Sequence, residues 1–493
     1  MKKLLVIVPH QDDDISIAGA LLAACCEPRA EYEPFVLFTT NGDGYKCDEL
    51  IRLREAQHAL SVLGMDTQHI MFLGYPDSVL IGKVLYDCRK DDILVNHGRK
   101  ETYGLPDAPE YRFLKSGVHS SYTLENYRRD LHDLLIDILP DCIVVNNYDW
   151  HPDHRMTYLT TLEAVRQLIV EQPCYKPLLL TKYAYANNWL GKSDYFEKPL
   201  QPTLQTDPAA ENPEARWQDR LCFAVPDCCK TPKLRQNLLF QSIKCYVSQQ
   251  AWIYAPRFLN SDVCYWRKRT ENLALSATVT ATSGRADYAN DFKVIDSSKI
   301  FPYVSMLDQC VWIPDAEDKE KTLELYWKKP ISVNSLVLYE SASSEQHIRS
   351  LRLQLDNGFC VENIEPAPDG GATEIKFTRQ KEIQKVRLTL IDTVGTKAGL
   401  SEVEVFDGYI PLEHYSFPLE QIPHQTAQYR KNISAEKYLF QIQELLCKKL
   451  FPNIYEMRRR YPILCRCTWL LPALWLVRLI SFPIKKLREK RNE

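Results

Sequence analysis

Among the 493 residues there is no apolar run long enough to cross a bilayer. The most apolar stretch, Cys467–Val477 (CTWLLPALWLV), is broken by Pro472 and ended by Arg478, well short of the ~20 residues that a spanning helix needs. Positive charge is not in excess either. The chain has 61 Lys and Arg against 64 Asp and Glu, a formal net charge of -3, which excludes a globally basic nucleic-acid binder. Met1-Lys2-Lys3 is followed by the short run Leu4–Val8, too short for the core of a secretory leader, so a cytoplasmic protein is expected. Cys-x-x-Cys does not occur, and the sixteen cysteines, spread from Cys25 to Cys467, show no regular pairing. The vicinal pairs Cys25-Cys26 and Cys228-Cys229 have no His or Cys at zinc-site spacing, so the thiols are expected to be reduced and mostly structural. A glycine-rich loop is missing after the first strand, which disfavours a dinucleotide site there.

Charge stands in that loop's place. Leu4–Val8 is continuously apolar and leads straight into Pro9-His10-Gln11-Asp12-Asp13-Asp14, a histidine and three carboxylates that would repel one another without a cation between them. To about residue 170, apolar strands (Leu4–Val8, Phe35–Thr39, Cys142–Val145) alternate with helical patterns (Leu50–Leu63, Glu125–Leu139, Asp153–Ile169). This is the texture of a doubly wound α/β domain with a mostly parallel sheet. Ligands of such sheets sit beyond the carboxyl ends of the strands, where both His10–Asp14 and a second cluster, His151-Pro152-Asp153-His154, fall. The Pro-rich stretch 200–216 reads as an excursion, and the first domain is expected to close near residue 268. From 269 to 412, alternating runs separated by turn signals predict an all-β sandwich. Residues 413–493 read as a basic, amphipathic, helical tail, with Leu439, Ile442, Leu446 and Leu450 on one helical face.

The two clusters can make one site. Zinc in hydrolases commonly takes three protein ligands from His and carboxylate and keeps a fourth position for water. His10, Asp13 and His154 supply that set. Asp12 is then a carboxylate beside the metal with no ligand duty, which suits a general base. His151 is placed to stabilise an oxyanion or to protonate a leaving nitrogen, with Asp153 expected to orient His151.

Taken together, Pro9-His10-Gln11-Asp12-Asp13 and His151-Pro152-Asp153-His154 resemble the PIG-L/LmbE family of zinc-dependent N-acetylglucosaminyl de-N-acetylases. The likeness extends through Thr40–Gly44, through Arg52, Glu55, Ala59 and Leu63-Gly64, through Phe72–Asp77, and to Tyr246–Gln249 and Phe258. The resemblance implies a Rossmann-type fold over residues 1–268 and one Zn2+, or another divalent metal, on His10, Asp13 and His154. It also implies Asp12 as base, His151 as acid or electrostatic partner, and Arg52, Asp43 and Asp77 as substrate-binding residues. Gln11 stands where the family usually has proline, and Asp14 where it has glutamate. The second region resembles discoidin (F5/8 type C, galactose-binding-like) domains through Asn272–Leu275, Thr278–Ser283, Trp312, Leu323–Tyr339 and Leu400–Val405, where a structural role is favoured over sugar binding.

These features imply a de-N-acetylase acting on an N-acetylated amino sugar, lipid- or nucleotide-linked, in glycan or surface polysaccharide synthesis. An amidase of a sugar-containing thiol conjugate and a non-catalytic glycan-binding scaffold are the competing readings. The tail sets Trp469 and Trp475 among Lys448, Lys449, Arg458, Arg459, Arg460, Arg466 and a basic terminus, which suits an anionic membrane surface and a peripheral location on its inner face. Packing of the tail on the protein itself, or on a second subunit in an oligomer, is the alternative.

Overall fold

The computed structural model describes residues 1–44, 49–78, 84–89, 92–149, 151–184, 200–205, 213–294, 311–341, 345–423, 446, 450–479. The first sheet is built by β1 (Lys2–Val8), β2 (Tyr32–Thr40), β3 (Ile70–Tyr75), β4 (Cys142–Asn146) and β5 (Leu178–Lys182). These run parallel in the order β5-β4-β1-β2-β3. Leu4 to Val8 and Cys142 to Val145 are fully buried, because helices cover both faces: α1 (Asp13–Cys25), α2 (Glu49–Val62), α3 (Tyr111–Ser116), α4 (Leu124–Ile138) and α5 (Pro152–Glu171). Strands buried on both sides have no polar face, which is why they read as unbroken apolar runs. The chain leaves β1 for β2 on one side and returns as β4 on the other. The crevice at this reversal is the place where such sheets bind ligands.

Beyond β5 the sheet changes direction. The strands β6 (Leu221–Ala224) and β7 (Asp262–Lys268), with the short helices α6 (Asp227–Lys230) and α7 (Leu238–Ile243) between them, extend it antiparallel in the order β6-β7-β5. Sequence periodicity predicts a single helical stretch over Leu234–Ser248. The structure has one short α-helix there, entered through a 3-10 turn at Leu234–Gln236. Asn237 ends that turn and caps α7, its side chain accepting from Phe240 N–H at 3.2 Å.

The second region is a sandwich made by two bent strands. The strands β8 (Thr278–Ala281), β9 (Thr322–Glu340), β10 (His347–Leu355), β11 (Cys360–Ile364), β12 (Thr373–Val394) and β13 (Leu400–Phe406) are all antiparallel. The start of β9 pairs with β8 and the end of β12, whereas the end of β9 pairs with β13 and the start of β12. Each long strand therefore serves both layers, crossing through irregular register at Gln380–Ile383. The sequence pattern predicts four separate strands here, because bends and bulges carry the same polar punctuation as loops. Leu323, Leu325, Leu336, Leu338, Leu388 and Val403 fill the space between the layers.

The sandwich braces the helix that carries His154. Lys293 Nζ reaches Glu163 Oε1 on α5 at 2.7 Å, and Arg166 Nε donates to Asn290 O at 3.0 Å. Burial works against the Glu163 charge, yet Lys293 and Arg128 hold its carboxyl down at about 2.

Past the sandwich the chain turns back to the first sheet. Leu412 and Leu419 enter the α/β core, and β14 (Gln421–Ile422) pairs with β6. The first residues of the expected tail thus belong to the first sheet's edge. The tail face predicted at Leu439–Leu450 lies largely outside the described residues. Further on, the helix Ile454–Arg460 buries Met457, and Leu464 packs with it. Asn453 Nδ2 ties this unit to Val247 O and Ser248 O, at 3.0 and 2.7 Å. Among the described residues no helix is long and apolar enough to cross a membrane.

Candidate metal centre

β1 delivers His10, and the sharp turn after it delivers Asp12 and Asp13 at the start of α1. β4 delivers Asp149, His151, Asp153 and His154 through the turn that starts α5. Three of these meet at one point. His10 Nδ1 lies 3.0 Å from Asp13 Oδ2, His154 Nε2 lies 3.2 Å from the same oxygen, and the two histidine nitrogens are 3.3 Å apart. Bonds of 2.0–2.1 Å at tetrahedral angles would separate ligand atoms by about 3.4 Å, so this triangle matches one face of a tetrahedral metal site.

The opposite nitrogen of each histidine is anchored. His154 Nδ1 is 2.7 Å from Asp149 Oδ2 and His10 Nε2 is 3.2 Å from Asp153 Oδ2. A carboxylate that takes the outer N–H fixes the tautomer and turns the inner lone pair toward a metal. Two other donor sets share His10, one with His151 and His154 and one with Asp77 and Asp153. The Asp153 oxygen is already held by Ser78 N–H at 3.1 Å and Ser78 Oγ at 2.8 Å. Asp13 Oδ2 also accepts the His10 N–H, at 3.2 Å, and the triangle on the Nδ1 side is the candidate centre because both of its histidines have their outer nitrogens anchored.

Electrostatics agree with a site built for a cation. Burial opposes charge on His10, but hydrogen bonds to Asp13 and Asp153 and the charges of Asp77 and Asp13 raise it well above its ordinary value. His154 is likewise held up at about 9 against burial, by Asp149 and Asp13. Asp13, although buried, is driven down by His154 and His10. His10 and His154 thus favour their charged forms beside an ionised Asp13, and a metal's positive charge would replace their protons.

Asp12 stands apart from the triangle. Its φ of 142° is a strained conformation for a residue with a side chain, and its Oδ1 is buried without a hydrogen-bond partner among the described residues. Burial and the Asp13 charge push it up to about 7, against Arg52, His10 and His154. The backbone is held there by Asp14, whose Oδ1 accepts from Asp12 N–H at 3.1 Å while its Oδ2 accepts from Tyr246 OH at 2.7 Å. Burial pushes Asp14 up to about 8. His151 caps α5, its Nδ1 accepting Asp153 N–H at 3.3 Å, which leaves the Nε2 as the protonated nitrogen of a neutral ring. Burial and the neighbouring His10 and His154 keep it neutral, with a value pushed down to about 3.

The carboxylate expected to orient His151 does something else. Asp153 Oδ2 lies 3.8 Å from His151 Nδ1 but within bonding distance of His10, where Ser78, in the loop after β3, also donates to it. Asp153→Ala is therefore expected to loosen His10 and lower activity about 10- to 100-fold. Titration with the metal should read that loss as weaker binding.

Asp43, expected at the substrate, has both oxygens engaged, accepting from Asp77 N–H at 2.8 Å and Tyr103 OH at 3.0 Å. Both bonds tie it to neighbouring loop residues. Asp77 Oδ2 lies 3.8 Å from His10 Nε2 and 3.7 Å from Arg52 Nη1. Arg52 donates to Gly42 O at 2.9 Å and to Gln249 Oε1 at 2.6 Å. Gly42 sits at φ 61°, and a Cβ there would fall 2.4 Å from Gln11 Oε1 and 2.6 Å from the Arg52 guanidinium, so the close approach excludes a side chain. Asp149 and Ser78 do not stand out as site residues in the sequence, and Tyr246 enters only through the resembling segment Tyr246–Gln249. An aspartate five residues before His154 is the only visible signal for the first.

The class defined by the fold is an α/β domain whose switch point gathers two histidines and an aspartate, a donor set that could hold a metal ion. Residues 5–165 match the family model PIG-L, described as GlcNAc-PI de-N-acetylase, and this part of the chain is a PIG-L family domain. Residues 272–406 match a domain of unknown function, DUF7402. No curated protein matches the chain. Among solved structures it is similar to chitosan-binding module 1 of a chitosanase/glucanase from Paenibacillus sp. IK-5, at 21% identity over 28% of this chain and 98% of that one, with a TM-score of 0.20. It is also similar to the lectin domain of Lectinolysin, at 20% identity over 28% and 99% of the two chains, TM-score 0.24. A family 32 carbohydrate-binding module from C. perfringens NanJ is 18% identical over 26% and 92%, TM-score 0.19.

Proposed function

We propose that the chain is a zinc-dependent hydrolase that removes the N-acetyl group from a GlcNAc-type amino sugar. The observation that carries this reading is the triangle of His10, Asp13 and His154 with an unbonded carboxylate oxygen of Asp12 beside it. Those three residues would hold a divalent ion, which when bound would supply Lewis acidity to a water and to the amide carbonyl. Asp12, whose Oδ1 is buried without a hydrogen-bond partner among the described residues, takes the proton of the attacking water and can return it to the departing amine. The neutral His151 donates its Nε2–H to the oxygen that becomes negative. Asp149 and Asp153 keep His154 and His10 in their tautomers, and Arg52 with Asp77 closes the sugar side of the crevice. Acetate release from a panel of N-acetylglucosaminides with free, nucleotide and lipid aglycones tests the proposal. No release from any of them by zinc-loaded protein would refute it.

The tail supports a peripheral attachment to an anionic leaflet. Trp475 is held within the tail, donating to Pro452 O at 2.8 Å, whereas Trp469 is 75% exposed, and Ile463, Leu476 and Val477 are exposed as well. Exposed tryptophan and aliphatic side chains among arginines suit a lipid interface, and each basic residue near such a surface contributes about 1 kcal/mol. Full-length protein should co-sediment with anionic vesicles and lose that binding as salt rises. Protein ending at residue 432 should not bind, yet should hydrolyse a soluble substrate. Unchanged vesicle binding after the deletion would remove the tail from this role.

A further inference from the structure

Behind the catalytic crevice, the antiparallel pair β6 and β7 sets two cysteines face to face. Cys222 and Cys264 are register partners, both buried, with their sulfurs 3.6 Å apart. Directly opposed residues of an antiparallel pair keep their Cα atoms about 4.5–5.5 Å apart, inside the roughly 4.4–6.8 Å that a disulfide spans. Asp262 completes a cluster of three buried donors within 4.8 Å of one another. Its Oδ1 already accepts from Thr203 N–H and Thr203 Oγ1, each at 2.7 Å.

The surroundings decide between a second metal site and thiol chemistry. The cluster offers three donors where a structural zinc takes four. Its neighbours are cationic: Arg220 lies beside Cys222, and the buried Lys182 amine feels both Cys264 and Asp262. Lys182 Nζ donates to Ser16 O at 2.9 Å. Cations next to sulfur disfavour a further divalent ion but stabilise a thiolate. The hydrogen bond from Cys264, together with Arg220, holds Cys222 below its ordinary value, and the same bond plus burial holds Cys264 above its own. Access comes from the strand order. β6 has four residues and is covered on its outer side by the two-residue β14, so few ladder bonds oppose local opening at this edge.

We propose that Cys222 and Cys264 form a thiol-oxidation site, closing a reversible cross-strand disulfide by exchange with a low-molecular-weight disulfide of the glutathione type. The Cys222 thiolate attacks one sulfur of the small disulfide, forming a mixed disulfide and releasing one small thiolate. Cys264 then attacks the Cys222 sulfur of that intermediate, giving up its proton as the second small thiolate leaves. Two protein thiols are oxidised by two electrons and one small disulfide is reduced to two thiols. The new bond fastens β6, and with it β14, to β7.

Full-length protein equilibrated with oxidised glutathione, alkylated and digested should yield a peptide pair linked through Cys222 and Cys264. Two alkylatable thiols per chain should disappear and return with dithiothreitol. Cys264→Ser should trap a glutathione adduct on Cys222, whereas Cys222→Ser should carry at least tenfold less adduct on Cys264. The proposal is overturned if the wild-type pair stays alkylatable while glutathione is oxidised, if the link joins other cysteines, or if the pair is protected by stoichiometric zinc. The wild-type readout stands even if a variant fails to fold.

Discussion

Replacing Asp12 by asparagine is expected to lower kcat by roughly 10²- to 10⁴-fold, the usual range for loss of a general base, without loss of the metal. The substitution keeps the side chain's size, so the strained turn at φ 142° and the Asp14 contact to its backbone remain. None of the three triangle atoms belongs to Asp12. The change therefore removes the carboxylate's charge and its ability to take a proton while leaving the three triangle atoms in place. Steady-state kinetics on protein with its metal content measured separates this from a metal defect. A near-normal kcat in metal-replete Asp12→Asn protein would end the assignment.

His154→Ala should fail in the opposite order, losing the metal first and activity with it. The side chain supplies one corner of the triangle, and its other nitrogen is the 2.7 Å partner of Asp149, which is itself buried. Removing it leaves two donors and deprives a buried carboxylate of that bond, at about 1–3 kcal/mol of stability. The activity loss should exceed the roughly 10- to 100-fold of a change outside the ligand set. Metal analysis and thermal unfolding of the same preparation check both parts. Full metal stoichiometry in His154→Ala would show that the ligands lie elsewhere.

The parts of this architecture that can be read in the sequence are those whose causes are local. Leu4–Val8 is apolar because both faces are covered, and the motifs His10–Asp14 and His151–His154 sit at strand ends because the parallel sheet puts them there. Apart from Asp149, five residues before His154, the partners that hold the motifs come from distant elements and leave no local trace. Ser78, in the loop after β3, donates to the Asp153 oxygen that bonds His10, whereas sequence adjacency points to His151. Residues two apart at the start of a helix do not face each other, so adjacency misleads. Tyr246 lies 232 residues from Asp14, and its hydroxyl alone shows why a third aspartate comes after the pair. The bends of β9 and β12 are hidden because polar punctuation marks a turn and a bulge alike. The pairing of β14 with β6 rests on two residues, too few for any periodicity.

Anomalous diffraction at the zinc edge, on crystals of the zinc-loaded full-length protein, tests the metal centre most directly. One strong peak is expected in the crevice, bonded to His10 Nδ1, Asp13 Oδ2 and His154 Nε2, with Asp12 near it but unbonded. A peak on the other side of His10, between Nε2, Asp77 and Asp153, would contradict the proposed ligand set, as would a crevice with no peak.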